Sequence, residues 1–173
     1  MKSIYLLTIL SALISTTGFS QDPEKKLKDL KIILPEIKSP AAGFVHVVRT
    51  GNLLFLSGKG PTGLDGISIK GKVGKDLSLE EGIAAARLVA INQIAVLKNE
   101  LGDLKKVKRI VKVLGMVNCV GDFTDHSQVI NGFSNLMVEV FGEKGKHARS
   151  AVGMSSLPGN IAVEVELIVE IED

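Results

Sequence analysis

The stretch Ile161-Ala162-Val163-Glu164-Val165-Glu166-Leu167-Ile168-Val169-Glu170-Ile171 places Ile, Val, Val, Leu, Val and Ile at every odd position. Opposite them stand Ala162, Glu164, Glu166, Ile168 and Glu170. Successive side chains of a strand point to opposite faces, so this pattern predicts a strand with one apolar face and one mostly polar face. Upstream, Thr124 to Phe141 reads as a helix, with Val129, Phe133, Leu136 and Val140 on one side and Gly142 as its stop. A Val-rich strand spans roughly Val107 to Cys119. Before it, Ser78-Leu79-Glu80-Glu81 is a capping box that opens a long helix to about Leu101. Its apolar stripe is Leu79, Ile83, Ala86, Ala90, Ile94, Leu97 and Leu101. Two short strands, about Phe44–Arg49 and Leu53–Ser57, meet at Gly51-Asn52, a hairpin signal. Asp22-Pro23-Glu24 opens a short amphipathic helix, and Pro35 to Pro40 reads as an extended connector. The predicted class is α+β: a mixed sheet with two long helices on one face. The second face needs a cover as well, and self-association is the economical one.

The chain has 173 residues, 45% hydrophobic and 23% charged, which fits one globular domain. Aromatic residues are scarce: six Phe, one Tyr and no Trp. That argues against stacking platforms for single-stranded nucleic acid or sugars. The 21 Lys and Arg against 19 Asp and Glu leave no electrostatic footprint for a nucleic-acid partner. The glycine-rich run from Gly58 to Gly74 lacks the Gly-x-x-x-x-Gly-Lys-Ser/Thr spacing of a phosphate-cradling loop. His46, His126 and His147 match no metal motif, and no cofactor or metal is expected. Cys119, the single cysteine, has no histidine at a recognisable catalytic spacing and reads as a small buried residue.

Residues 1–20 combine Lys2, an apolar run from Ile4 to Ile14, and small residues at Gly18 and Ser20 before Gln21. The run is well short of the roughly twenty residues that span a bilayer. The segment reads as a signal peptide of an exported protein, with no membrane anchor after cleavage. Residues 21–40 then form the N-terminal helix and connector, and 41–173 the main domain. The lone Tyr5 would leave with the leader.

His147-Ala148-Arg149-Ser150-Ala151-Val152-Gly153, then Leu157-Pro158 and Val163-Glu164-Val165-Glu166, resembles the C-terminal pattern of the YjgF/YER057c/UK114 family, also called the Rid (reactive-intermediate deaminase) family. The resemblance runs from about Pro40 to Glu172 and includes Gly51 to Gly58 and Val129-Ile130-Asn131-Gly132. It implies a chorismate-mutase-like fold and a homotrimer with clefts between subunits. For active members it implies hydrolysis of enamine or imine intermediates, such as 2-aminoacrylate, to a keto acid and ammonia. The implied site comprises Arg149 as anchor for a substrate carboxylate and Glu164 as proton-transfer group. Asn131 stands near the family's helix asparagine, one residue out of register. Backbone groups around Ser57-Gly58 and at Ala151 would help hold the substrate.

These residue types suit the chemistry. A guanidinium fork binds a carboxylate through two parallel hydrogen bonds. A carboxyl group can orient water and shuttle the protons that imine hydrolysis requires. The chain also departs from the family pattern. Phe44 stands where active members carry a cleft tyrosine, and Ala151 where many carry cysteine. Those two departures favour the alternative of a non-catalytic trimer that binds small carboxylates. A third reading, endoribonuclease, is opposed by the near-neutral charge, the missing Tyr and Trp, and the lack of a paired-histidine acid/base set.

Overall fold

The computed structural model describes residues 21–40 and 43–172; the predicted leader lies outside them. Asp22 caps helix α1 (Pro23–Asp29), its carboxylate accepting from the backbone N–H groups of Glu24 and Lys25 at 3.1 and 3.2 Å. Strands β1 (Val47–Thr50) and β2 (Leu53–Lys59) form the expected hairpin, with Gly51 at positive φ in the turn. Helix α2 (Leu79–Leu101) starts on a complete capping box: Glu81 N–H to Ser78 Oγ at 3.1 Å, and Ser78 N–H to Glu81 Oε2 at 2.7 Å. Strand β3 (Val107–Asn118), helix α3 (His126–Phe141), strand β4 (Ala148–Met154) and strand β5 (Val163–Ile171) complete the fold.

The strands make one sheet in the order β1-β2-β5-β3-β4. All neighbours are antiparallel except β3 and β4, which run parallel because α3 carries the chain back between them. The alternation is realised from Val163 onward; Ile161 and Ala162 precede the strand, and Ala162, expected on the polar side, is fully buried. Val163, Val165, Leu167, Val169 and Ile171 are buried beneath the helices, and Glu164, Glu166, Ile168 and Glu170 face the other way. Helices α2 and α3 pack on each other and on this one face. Their core includes Ile94, Leu97, Phe133, Leu136 and Met137, all fully buried. Burial of each such side chain is worth about 1.5–3 kcal/mol. Beyond the predicted stripe, α2 also buries Ala85, Val89, Gln93 and Val96, because it is wedged between α3 and the sheet. The class is therefore the α+β arrangement expected, one mixed sheet with two long helices on one face.

Two boundaries and one whole strand differ from the sequence reading. Phe44 lies ahead of β1 and is 54% exposed; pairing begins only at His46, whose carbonyl accepts from Ser57 N–H at 3.0 Å. Helix α1 stops at Asp29, where Leu30 closes it and Lys31 turns into the left-handed region. Strand β4 has no counterpart in the sequence reading. Its Ala-Arg-Ser-Ala-Val-Gly-Met is too short of apolar residues to signal a strand, and a parallel edge strand beside a long helix needs no clean alternation.

The sheet face away from the helices is open. Val48 is 56% exposed and Phe55 41%, and with Val45, Leu114 and Ile168 they line a depression of about 650 Å³ bordered by Lys112 and Glu166. Among the described residues, no helix is long and apolar enough to cross a membrane.

Candidate active site

Register decides where the candidate residues go. In β4, Arg149, Ala151 and Gly153 pair with Val113, Gly115 and Val117 of β3, whose side chains lie under the helices. Arg149 therefore leans along α3. Its Nη1 donates to Asn131 Oδ1 at 2.9 Å and to Ser134 Oγ at 3.0 Å, and its Nη2 to the Ser127 carbonyl at 3.3 Å. Three of five N–H groups are thus engaged; the N–H of Nε and one of Nη2 have no acceptor among the described residues. Those two nitrogens offer a fork for an incoming carboxylate. Asn131 thus meets Arg149, and Ala151 stands two residues along the same side of β4.

Glu164 lies on the opposite face. It pairs with Met116 of β3, and its carboxylate rests over Gly58 of β2. The β2–β5 ladder loses register between Leu56 and Lys59, so Ser57 and Gly58 form a bulge. The fully buried Gln93 bridges the break from α2: its Nε2 donates to the carbonyls of Ser57 at 3.0 Å and Val165 at 2.7 Å. Burial, and then the neighbouring Glu166 carboxylate, raise the Glu164 pKa above the usual glutamate value. Such a group can hold and release a proton nearer neutrality than a free carboxylate can.

Gly58 has no room for a side chain, because a Cβ there would overlap the Glu164 carboxylate. The obstructing atoms are the far end of a flexible side chain, so Gly58→Ala is expected to fold and to displace the carboxylate. If Glu164 moves protons, kcat falls by roughly 10²-fold, with the melting temperature close to wild type. Calorimetry alongside steady-state kinetics checks both halves.

The fold brings together Arg149 with Asn131, and Glu164 with Gly58 and, through the bulge, Ser57. It does not bring the two groups together within one protomer, since they occupy opposite faces of one sheet. Phe44 lies ahead of β1, its ring edge-on to His46 at 6.2 Å between centroids.

Two further features escaped the sequence reading. Ser134 and His147 join the Arg149 cluster. Ser134 lies three residues from Asn131 on the same side of α3, and His147 two residues before Arg149. That spacing becomes visible only once β4 is recognised as a strand. Cys119 also has a histidine after all: Sγ is 3.4 Å from His126 Nε2, in a cavity of about 580 Å³ beside Lys72. Burial pushes the Cys119 thiol pKa up, which disfavours the thiolate a nucleophile needs. Lys72 is spent on the Asn118 side chain and the Cys119 and Ser155 carbonyls. Among the described residues, no three His, Cys, Asp or Glu side chains are grouped to hold a metal ion.

Comparison with known proteins agrees with this architecture. The family described as "YjgF/chorismate mutase-like, putative endoribonuclease" matches residues 24–171. Protein TCP17 of Trypanosoma cruzi is 43% identical over 148 residues, spanning 85% of this chain and 92% of that protein. The crystal structure of Atu1372 from Agrobacterium tumefaciens, a protein of unknown function, superposes with a TM-score of 0.80 at 44% identity, over 87% of this chain and 94% of that one. A structure from Shewanella oneidensis described as a "putative endoribonuclease" gives a TM-score of 0.83 at 32% identity, over 87% and 99% of the two chains.

Proposed function

The chain belongs to the YjgF/chorismate-mutase-like family, and from that premise we propose that it is an exported homotrimeric deaminase. It hydrolyses enamine or imine intermediates of amino acids to keto acids and ammonia. The observation that carries this reading is the half-buried Arg149, held by Asn131, Ser134 and Ser127 with its Nε and one Nη2 N–H unspent. A half-buried guanidinium fixed on one side and open on the other is suited to a planar carboxylate. The open apolar sheet face supports self-association, since contiguous exposed apolar surface marks an interaction site. Because Arg149 and Glu164 lie on opposite faces of one sheet, a cleft containing both draws one from each of two neighbouring copies.

In such a cleft Arg149 binds the substrate carboxylate and fixes the C=N carbon nearby. Glu164, protonated, gives its proton to the imine nitrogen; as the carboxylate it takes one from the attacking water. Water adds its oxygen to the carbon, and the tetrahedral intermediate collapses as the C–N bond breaks. The imine R–C(=NH)–COO⁻ and one water become R–CO–COO⁻ and ammonia, with no oxidant or reductant. The Ser57–Gly58 bulge sets the Gly58 backbone beside Glu164, while the Ser57 N–H and carbonyl are taken up by His46 and Gln93.

The test is imine loss when an amino-acid oxidase generates imino acids in situ. Acceleration over buffer is expected, falling by roughly 10²-fold or more in Arg149→Ala, as loss of two charge-assisted hydrogen bonds implies. The second reading, a trimer that binds carboxylates without turnover, is favoured by Phe44, which lacks the phenol of active members. It is the outcome if keto acids bind and no acceleration occurs. RNA degradation that survives stringent purification and disappears in Glu164→Gln would replace both.

A further inference from the structure

We propose that Ser134 and His147 are positioning residues: together they form a one-directional hydrogen-bond relay that holds the Arg149 guanidinium ready for a substrate carboxylate. The inference rests on the reading of Arg149 as the carboxylate anchor. His147 Nδ1 lies 2.7 Å from the Gly145 carbonyl, which can only accept, so Nδ1 carries the hydrogen. In the neutral ring Nε2 is then a bare acceptor, 2.9 Å from Ser134 Oγ. The single hydroxyl hydrogen of Ser134 goes to Nε2, which turns its lone pairs toward Arg149 Nη1 at 3.0 Å. Every donor meets an acceptor, and the direction of all three bonds follows from the Gly145 carbonyl.

Protonation of His147 breaks the relay. Nε2 becomes a donor toward Ser134 Oγ, the hydroxyl hydrogen loses its acceptor, and a second positive charge stands near Arg149. The groups facing His147 are Arg149 from β4, Ser134 and the edge-on Phe133 ring from α3, and the Gly145 carbonyl. Arg149 is the charged one; Lys144 and Lys146 on the adjoining turn are paired with Glu172 and Glu143. Burial first, and then the Arg149 charge, lower the His147 pKa, while the Gly145 bond opposes them. The ring therefore takes up its proton in more acidic solution than an ordinary histidine, and there the relay fails.

The experiment compares Ser134→Ala, His147→Ala, His147→Gln and Arg149→Ala, reading KM and kcat for the in-situ imine, pyruvate affinity by calorimetry, and melting temperature. Ser134→Ala and His147→Ala are expected to raise KM and the pyruvate Kd roughly tenfold, with kcat within about twofold. His147→Gln, whose amide oxygen can accept from Ser134, restores most of that loss. Wild-type KM rises in acid, and His147→Gln removes that rise. Unchanged KM and pyruvate affinity in Ser134→Ala and His147→Ala, while Arg149→Ala loses both, overturn the relay and leave the anchor standing. A lowered melting temperature with KM untouched likewise overturns it, assigning the pair to packing alone. Arg149→Ala with undiminished pyruvate affinity rejects the carboxylate anchor itself. Should the alanine variants fail to fold, the wild-type and His147→Gln pH profiles decide: coincident profiles overturn the relay.

Discussion

Arg149→Ala and Glu164→Gln copies, unfolded together and reassembled at equal concentration, are expected to recover about one quarter of wild-type imine hydrolysis by the arithmetic of a two-copy site. Each variant alone is expected to lose activity by roughly 10²- to 10⁴-fold, the range for removing a positioned acid/base or charge partner. The recovery follows from the sheet. Arg149 shares its face with Val113 and the α3 residues Asn131 and Ser134, whereas Glu164 shares the other face with Met116 and Gly58. A cleft holding both takes the arginine from one copy and the glutamate from the next. In a random mixture, half the copies keep the arginine and half the glutamate, so a quarter of such clefts keep both. A same-protomer site would recover nothing, because no mixed protomer carries both residues. Native mass spectrometry verifies that mixed oligomers have formed; their presence without activity refutes the shared cleft.

Gly132→Ala is expected to be strongly destabilising, at about 3 kcal/mol. Gly132 sits on α3 where it crosses α2, and a Cβ there would overlap the backbone carbonyl of Ile83. A carbonyl on a helix axis cannot swing aside as a side chain can, so the helices must separate. The neighbouring residue, Asn131, holds the Arg149 guanidinium, so the displacement reaches the anchor as well. Urea unfolding should show the midpoint drop with an unchanged slope. Pyruvate affinity should fall in the protein that remains folded. A variant within 1 kcal/mol of wild type would show that α2 and α3 tolerate separation at this crossing.

The contrast between Gly58 and Gly132 shows how far a sequence can be read. Both occur within segments that resemble the family pattern, and neither carries a mark of its role. Gly58 leaves space for a carboxylate that arrives from more than a hundred residues away, and Gly132 leaves space for another helix. Glycine-rich spacing invites a phosphate-loop or turn interpretation, but the reason for each glycine is a tertiary neighbour. Cys119 teaches the same lesson in reverse. No catalytic spacing links it to His126, yet the turn between β3 and α3 folds the two side chains together, and burial raises the thiol pKa.

The local signals worked because local physics determines them. Alternation in β5, the capping box before α2, the Gly51-Asn52 turn and the glycine stop at Gly142 depend on neighbours within a few residues. From these alone the sequence determined the element types, the α+β class and the sheet with one face toward two helices. Strand β4 was missed because an edge strand paired on one side, with Gly and Ser among its residues, is held by its partner β3 more than by its own pattern. That omission hid the alternation that puts Arg149 and Ala151 on one side of β4, with His147 just ahead of it. Only the tertiary structure decided that Arg149 and Glu164 face opposite ways. A side chain's face depends on strand register, and register is set by partners remote in sequence.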